Sequence, residues 1–107
     1  MAKKPETVLK EKVLADLKEV PGVYVRKIQQ VSLRGTLDLM VCVAGNFVAI
    51  ELKANDNEDL DDLQKHEASK ILKAGGYVFK VTPMTWPGVL SSIKRMAYFE
   101  AKTASNM

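Results

Sequence analysis

Three charged residues interrupt two otherwise apolar segments in the middle of the chain. Asp38 is the only charge in residues 37–43, and Glu51 and Lys53 are the only charges in residues 47–53. Short apolar runs of this kind predict strands that are buried on both faces. An unpaired carboxylate in such a strand costs several kcal/mol, so Asp38 and Glu51 require a compensating partner.

A predicted hairpin brings these three residues together. Residues 44–46 contain glycine and asparagine between the two apolar runs, which is a hairpin signal. Depending on the loop length, the residue opposite Asp38 is Glu51, Leu52 or Lys53. Glu51 and Lys53 are two residues apart, so their side chains project from the same face of the strand. Two acids and one lysine therefore converge at one end of the hairpin.

Two kinds of site fit this convergence. The first is a structural ion pair between Lys53 and either Asp38 or Glu51. The second is a site for a divalent cation, because one lysine cannot neutralise two facing carboxylates. An oxygen-preferring cation would take both carboxylates, the Leu52 carbonyl and water. The spacing alone favours neither interpretation.

The elements that must position these residues follow the order αβββαβα. Hydrophobic periodicity, Pro and Gly punctuation and β-rich runs define them. The order predicts an α/β fold with one mixed sheet flanked by helices. We expect a single domain over residues 1–107, with its core at about 5–99 and a loose tail over 100–107. The predicted elements are a helix over 5–20, strands over 23–30, 37–43 and 47–53, a helix over 58–73, a strand over 77–81 and a helix that begins after Thr85.

The same patterns assign individual side chains. Cys42 lies in an apolar run and is predicted to be a buried, inert thiol. His66 is predicted to lie on a helix surface, and the acidic run from Asp56 to Asp62 to form a solvated helix start. Two further sets are predicted to face the core. They are the aromatic residues Tyr24, Tyr77, Phe79 and Trp86, and the second-helix residues Leu60, Leu63, Ile71 and Ala74.

Composition and charge exclude several classes of protein. The 107 residues are 47% apolar and 27% charged, contain no apolar run long enough for a membrane span, and lack the apolar core of a signal peptide at residues 1–5. We therefore expect a cytoplasmic protein. A single cysteine and a single histidine make a zinc site untenable. The net charge is only +3, but basic flanks enclose an acidic segment over residues 54–67, which suits a protein that binds phosphates while keeping carboxylates for metal.

These residues resemble the signature of a known nuclease superfamily. Residues 35–38 (Gly-Thr-Leu-Asp), twelve intervening residues and then residues 51–53 (Glu-Leu-Lys) resemble the PD-(D/E)xK motif, and their surroundings resemble the small stand-alone VRR-NUC nucleases of phages and bacteria. Glu6 resembles the acid that opens the first helix of that family, and Gln64 its second-helix glutamine. Residues 73–83 resemble its closing strand. The likeness covers about residues 5–95, and the family shares the αβββαβ order.

The chain also departs from the family pattern. Leu37 stands where proline is common, and Lys10 stands where a glutamine often follows the first-helix acid. Glu11 is a rival for Glu6, because its surroundings resemble those of archaeal Holliday-junction resolvases. The spacing from Glu6 to Arg26 fits the VRR-NUC pattern better.

The resemblance implies a restriction-endonuclease-like core and a Mg²⁺- or Mn²⁺-dependent DNA endonuclease. Asp38, Glu51 and the Leu52 carbonyl would bind the metal, and Lys53 would position water or stabilise phosphate charge. Gln64 would reach the metal-bound water or the phosphate, and Glu6 would supply an outer carboxylate. Arg26, Lys27 and Arg34 are predicted to contact DNA phosphates.

The expected substrate is branched or junction DNA, because no sequence-reading module is recognisable. The small size of the domain, together with the family likeness, predicts a homodimer. The alternative function is a non-catalytic nucleic-acid-binding or assembly module that keeps the nuclease fold. The intact set of Asp38, Glu51 and Lys53 argues against that alternative.

Overall fold

The computed structural model describes residues 3–28 and 37–105, with side chains as far as residue 98. It contains the seven elements in the predicted order. The end of the first predicted strand and the following loop, which includes Arg34, Gly35 and Thr36, lie outside the described residues. The elements are α1 (Pro5–Lys18), β1 (Val23–Lys27), β2 (Leu39–Val43), β3 (Asn46–Leu52), α2 (Asp62–Lys73), β4 (Tyr77–Val81) and α3 (Trp86–Ser105).

The four strands form one mixed sheet in the order β1-β2-β3-β4. The first three strands are antiparallel neighbours, whereas β4 runs parallel to β3. A parallel pair requires a crossover connection, and α2 supplies it. The α/β architecture with a mixed sheet is therefore confirmed.

Helices α1 and α3 cover one face of the sheet and enclose the core. The apolar positions of α1 recur every four residues, so one stripe of the helix is buried. Trp86 at the start of α3 is 1% exposed, and its Nε1 donates to Asp16 Oδ2 of α1 at 2.8 Å. This bond joins the two helices at the sheet surface. The core includes Leu9, Val13 and Leu17 of α1, Ile93 of α3, and Leu39, Val41, Ile50, Leu52 and Val81 of the sheet.

Helix α2 lies on the opposite face, near β3 and β4. It begins at Asp62, four residues later than predicted, because Asp61 caps it. The preceding acids are not helical: Asp56 accepts a hydrogen bond from Thr82 Oγ1, and Asp59 accepts one from its neighbour Leu60 N. The prediction that the acidic run starts the helix is therefore wrong for most of its length.

The inner face of α2 also differs from the prediction. Leu63 is 49% exposed, and Ala74 is exposed as well. Ala68 is the buried residue of the helix. The later helix start and the shallow packing of one helix against the edge of a sheet explain the difference. A small side chain at the contact lets the helix approach closely, whereas the larger apolar side chains remain at the rim.

The outer face of β1 and β2 is only partly covered, which overturns two predictions, and a third is wrong at the start of β4. Cys42 is exposed rather than buried. Tyr24 of β1 is 56% exposed, and Tyr77, the first residue of the edge strand β4, is 42% exposed. Along β2, buried and exposed residues alternate, so the strand is covered on one face only. Of the aromatic residues predicted as core, Trp86 is buried and Phe79 packs against the core.

Two further predictions concern the helices. His66 is exposed on α2, as predicted. Helix α3 extends to Ser105, into the segment that we predicted to be a loose tail. No helix in the described part of the chain is long and apolar enough to cross a membrane.

Candidate active site

A tight turn sets the register that brings the acids together. Val43 pairs with Asn46, so the loop consists of Ala44 and Gly45 alone. Both have positive φ, +48° and +91°, as in the two-residue turns that match the twist of a hairpin. The ladder continues to the pair Leu39 with Ile50. One step further along this register, Asp38 stands opposite Glu51, which decides among the three predicted partners.

Hydrogen bonds to the backbone hold the two carboxylates at the end of the hairpin. The Asp38 backbone N donates to Glu51 Oε1 at 3.1 Å, and the Leu52 backbone N donates to Asp38 Oδ2 at 2.8 Å. Each carboxylate therefore contacts the opposite strand. Because backbone N–H groups donate to both carboxylates, the two side chains are held in place before any ligand binds.

Lys53 and Gln64 complete the polar cluster around Glu51. Gln64 Nε2 donates to Glu51 Oε2 at 2.7 Å, and Lys53 Nζ donates to Gln64 Oε1 at 3.3 Å. Lys53 Nζ also lies 3.4 Å from Glu51 Oε2. The ion-pair interpretation is therefore correct for Lys53 with Glu51. One ammonium still faces two acids, so the ion pair does not complete the charge balance.

The start of α2 explains why Gln64 reaches the sheet. Asp61 Oδ1 accepts from Gln64 N at 2.8 Å, and Gln64 Oε1 accepts from Asp61 N at 3.0 Å. This reciprocal arrangement is a capping box. It fixes the Gln64 side chain against the first turn of the helix, with its amide nitrogen directed at Glu51. Helix start and site geometry therefore depend on the same side chain.

Glu51 carries a strongly perturbed carboxyl group. The residue is 4% exposed. Burial, and then the negative charge of Asp38, raise the pKa of Glu51 from 4.5 to about 7, against the opposing effects of Lys53 and Gln64. A buried acid beside a second acid holds its proton until another positive charge replaces it. A buried pair of acids with this perturbation favours the binding of a cation.

A cavity of about 260 Å³ opens beside Asp38. The N-terminal end of α1 forms its other wall, and Glu6 lies in that wall. Glu11 instead pairs with Lys3 at 2.9 Å and lines a different cavity. The structure thus brings Glu6, and not its rival Glu11, to the cavity beside Asp38. The residues that line the cavity are Lys4, Glu6, Thr7, Lys10, Asp38 and Leu52.

The three basic residues predicted to contact phosphate differ in their position relative to the site. Lys27 pairs with Leu39 at the sheet end next to Asp38 and is exposed. Arg26 turns to its own strand, where its Nε donates to the Tyr24 hydroxyl at 2.6 Å and its guanidinium lies over the Tyr24 ring. Arg34 lies outside the described residues. Their predicted roles stay predictions.

The donor set around Asp38 fits a hard divalent cation. Two carboxylates, one of them buried with a raised pKa, meet beside the Leu52 backbone, and oxygen donors of this kind suit Mg²⁺ or Mn²⁺. Within residues 3–28 and 37–105, no cluster of three or more His, Cys, Asp or Glu side chains has metal-binding geometry. Backbone carbonyl and water would therefore supply the remaining ligands, as Mg²⁺ commonly accepts.

Sequence reasoning did not assign the two lysines of this cavity. Lys10 stands out in the sequence only as a departure from the family pattern, and Lys4 belongs to none of the motifs. A signal was present, because Lys10 follows Glu6 by four residues and therefore shares its helix face. Lys4 directly precedes the helix. If Glu6 in the first turn of α1 lies at the site, Lys4 and Lys10 must lie near the site as well.

Comparisons with known proteins bear on the fold. No family model and no curated protein matches this chain. A solved structure described as a VRR_NUC domain matches with a TM-score of 0.69 and 22% identity, covering 88% of this chain and 95% of that one. A likeness at this identity shows the fold. The VRR-NUC resemblance is thus confirmed at the level of architecture, and the chain has a restriction-endonuclease-like α/β core.

That architecture makes the chain a nuclease-fold domain. The match extends over nearly the whole of both chains, so the elements that carry Asp38, Glu51, Lys53 and Gln64 belong to the shared fold.

Proposed function

We propose that this protein is a metal-dependent DNA endonuclease that hydrolyses phosphodiester bonds. The observation that carries the proposal is the buried Glu51 carboxylate, which faces Asp38 and contacts Lys53 and Gln64. A purely structural pair would balance its charge, whereas this cluster has one acid in excess. Unbalanced buried acids are retained where a cation is bound.

Asp38, Glu51 and the Leu52 carbonyl would hold the cation. When bound, Mg²⁺ or Mn²⁺ supplies positive charge that polarises the scissile phosphate and lowers the pKa of the attacking water. Lys53, whose side chain is 16% exposed, donates hydrogen bonds to that water or to the phosphate oxygen on which charge develops. Gln64 orients both Glu51 and Lys53 through its amide. Glu6 contributes a further carboxylate at the cavity wall.

The substrate that we propose is branched or junction DNA rather than a defined sequence. Direct readout needs a helix or ribbon that enters the major groove. In the described residues, the site lies at the end of a sheet between α1 and α2, and α1 and α3 are packed against the core. A protein built in this way contacts the phosphate backbone and recognises the shape of DNA.

Cleavage of labelled DNA tests the proposal. We expect the wild type to cut a four-way junction or a flap in preference to linear duplex, and only with Mg²⁺ or Mn²⁺. Asp38→Asn keeps an acceptor for Leu52 N but removes the negative charge that attracts the metal, so it should lower the rate roughly 100-fold or more. Asp62→Asn, an exposed acid in the first turn of α2, is the matched control and should cut normally.

The alternative is a non-catalytic nucleic-acid-binding module. It predicts DNA binding without cutting in every metal, and equal binding by wild type and Asp38→Asn. That outcome would replace the endonuclease proposal, and the absence of both binding and cutting would contradict both.

We further propose that the protein acts as a homodimer. Exposed apolar side chains from three neighbouring strands form a patch on the outer sheet face, which consists of Tyr24, Met40, Cys42 and Phe47. Its neighbouring cation, Arg26, is engaged by Tyr24, so the patch offers little to a phosphate. A contiguous apolar patch suits a like patch on a second copy, and two-fold pairing of identical surfaces is the commonest oligomer geometry.

Molar mass in solution tests the dimer. We expect twice the 11.9 kDa chain mass for the wild type and the monomer mass for Met40→Lys, because a charge within the patch must be desolvated on pairing. Met84→Lys changes an apolar residue that is 78% exposed outside the patch and should remain dimeric. A monomeric wild type, or equal masses for the two variants, contradicts the proposal.

A further inference from the structure

Two lysines line the same cavity as Asp38 but carry no role so far. Lys4 directly precedes α1, and Lys10 lies one helical turn after Glu6. Within the described part of the chain, neither lysine side chain donates a hydrogen bond or forms an ion pair. By contrast, Lys3 pairs with Glu11 and Lys12 pairs with Asp16. The cavity lysines therefore stay available, although Glu6 and Asp38 lie in the same cavity.

The charge balance of the cavity favours an anionic occupant. The Asp38 carboxylate accepts a hydrogen bond from the backbone, and the cation of the proposed function would neutralise it together with Glu51. Of the charges that line the cavity, those of Lys4, Lys10 and Glu6 then remain, which leaves one net positive charge beside the reacting position. Ammonium groups without a carboxylate partner are the usual contacts of a phosphodiester backbone.

The arrangement of the helices defines where that anion lies. The Lys53 side chain contacts Gln64 of α2, whereas Lys4 and Lys10 lie at the N-terminal end of α1. Helices α1 and α2 lie on opposite faces of the sheet. The acidic pair at the end of the hairpin therefore has lysines on both sides. A DNA strand that crosses the end of the sheet would meet one set before the cleaved bond and the other set after it.

We propose that Lys4 and Lys10 bind a phosphate group of the DNA strand next to the bond that is cut, on the α1 side of Asp38. This inference rests on the proposed function and specifies how the substrate strand is held. Lys4 and Lys10 are positioning residues, because they hold the strand and leave the chemistry to the acidic pair, Lys53 and Gln64.

The salt dependence of DNA binding tests this proposal. Binding of a labelled four-way junction is measured in Ca²⁺, under conditions that give no cleavage, at a series of salt concentrations. The logarithm of the association constant falls linearly with the logarithm of the salt concentration. Each lost phosphate contact reduces the magnitude of that slope by about 0.9. Lys4 and Lys10 hold one phosphate together, so the double variant Lys4→Ala/Lys10→Ala should reduce the magnitude of the slope by about 0.9. Lys18→Ala/Lys73→Ala removes two exposed lysines outside this cavity and should leave the slope unchanged.

Cleavage kinetics separate positioning from catalysis. Lys10→Gln should raise KM while kcat stays close to the wild-type value, and Lys10→Arg should restore KM, since the arginine keeps the charge. Equal slopes for the two double variants would overturn the proposal. So would a lowered melting temperature with an unchanged slope, because the lysines would then serve the fold alone. If the wild type cuts DNA but the slopes are equal, only this inference fails; if it neither binds nor cuts, the proposed function fails as well.

Discussion

Replacing Glu51 by glutamine should stabilise the metal-free protein at pH 8 and abolish its activity. The pKa of Glu51 is raised from 4.5 to about 7 by burial and by Asp38, so the folded protein holds the proton more tightly than the unfolded chain does. The resulting stabilisation is complete below pH 4.5 and is lost as pH rises through about 7. The shift corresponds to as much as about 3 kcal/mol.

Chemical denaturation between pH 5 and pH 8 measures this effect. In EDTA, the free energy of unfolding of the wild type should fall over that range, and that of Glu51→Gln should fall much less. Glu58→Gln neutralises an exposed acid and should follow the wild type. A wild-type stability that is constant from pH 5 to pH 8 would show that Glu51 titrates normally.

Metal should reverse the order of stability. A cation that replaces the proton stabilises the folded wild type at pH 8 by about 2.7 kcal/mol at 100 times its Kd. Glu51→Gln lacks a charged ligand and should gain little from the same metal concentration. This readout does not depend on cleavage. Equal stabilisation of wild type and variant by the metal would show that Glu51 is not a metal ligand.

Replacing Lys53 by methionine should lower kcat about 100- to 1000-fold, the usual effect of losing one donor to a developing oxyanion. Lys53 is largely buried between Glu51 and Gln64, so it cannot be replaced by a solvent cation. Its loss also removes the positive charge that opposes the raised pKa of Glu51. Single-turnover cleavage at saturating enzyme, with binding measured separately in Ca²⁺, isolates the effect on the chemical step.

Lys65→Met is the matched control for this experiment. Lys65 is an exposed lysine of α2 that pairs with Asp59 at the surface, and its loss should leave kcat within about twofold, since exposed pairs of this kind contribute little. The proposed role of Lys53 would be wrong if Lys53→Met weakened DNA binding while kcat stayed unchanged, because Lys53 would then act only in holding the strand.

Local patterns in the sequence were sufficient for the order of elements. The two-residue period of the strands and the four-residue period of the helices are local properties, and Pro21, Gly22 and Gly75 mark where elements end. The hairpin was visible for the same reason. Its register was not, because the segment between the strands allowed a loop of two or three residues. Only the observed turn at Ala44 and Gly45 placed Asp38 opposite Glu51.

Tertiary packing decided which faces of the strands are covered by helices. Cys42 and Tyr24 belong to β-rich, largely apolar segments, and such runs do not reveal whether a helix covers both faces of a strand or one. In the structure, the outer face of β2 is exposed. Leu63 remains exposed for a related reason, since the Asp61 cap starts α2 late and directs Ala68 to the sheet.

The sequence by itself singled out the residues that we propose as carriers of the chemistry. Asp38, Glu51 and Lys53 stand out because charges in apolar strands are costly, and that cost is a property of residue type and neighbourhood. Only the tertiary structure decided which more distant side chains join them. Glu6 and Glu11 both lie on α1, and it is the docking of the helix against the sheet that turns Glu6 towards Asp38 and brings Lys10 with it. Contacts between distant segments depend on how rigid elements pack, which no local pattern encodes.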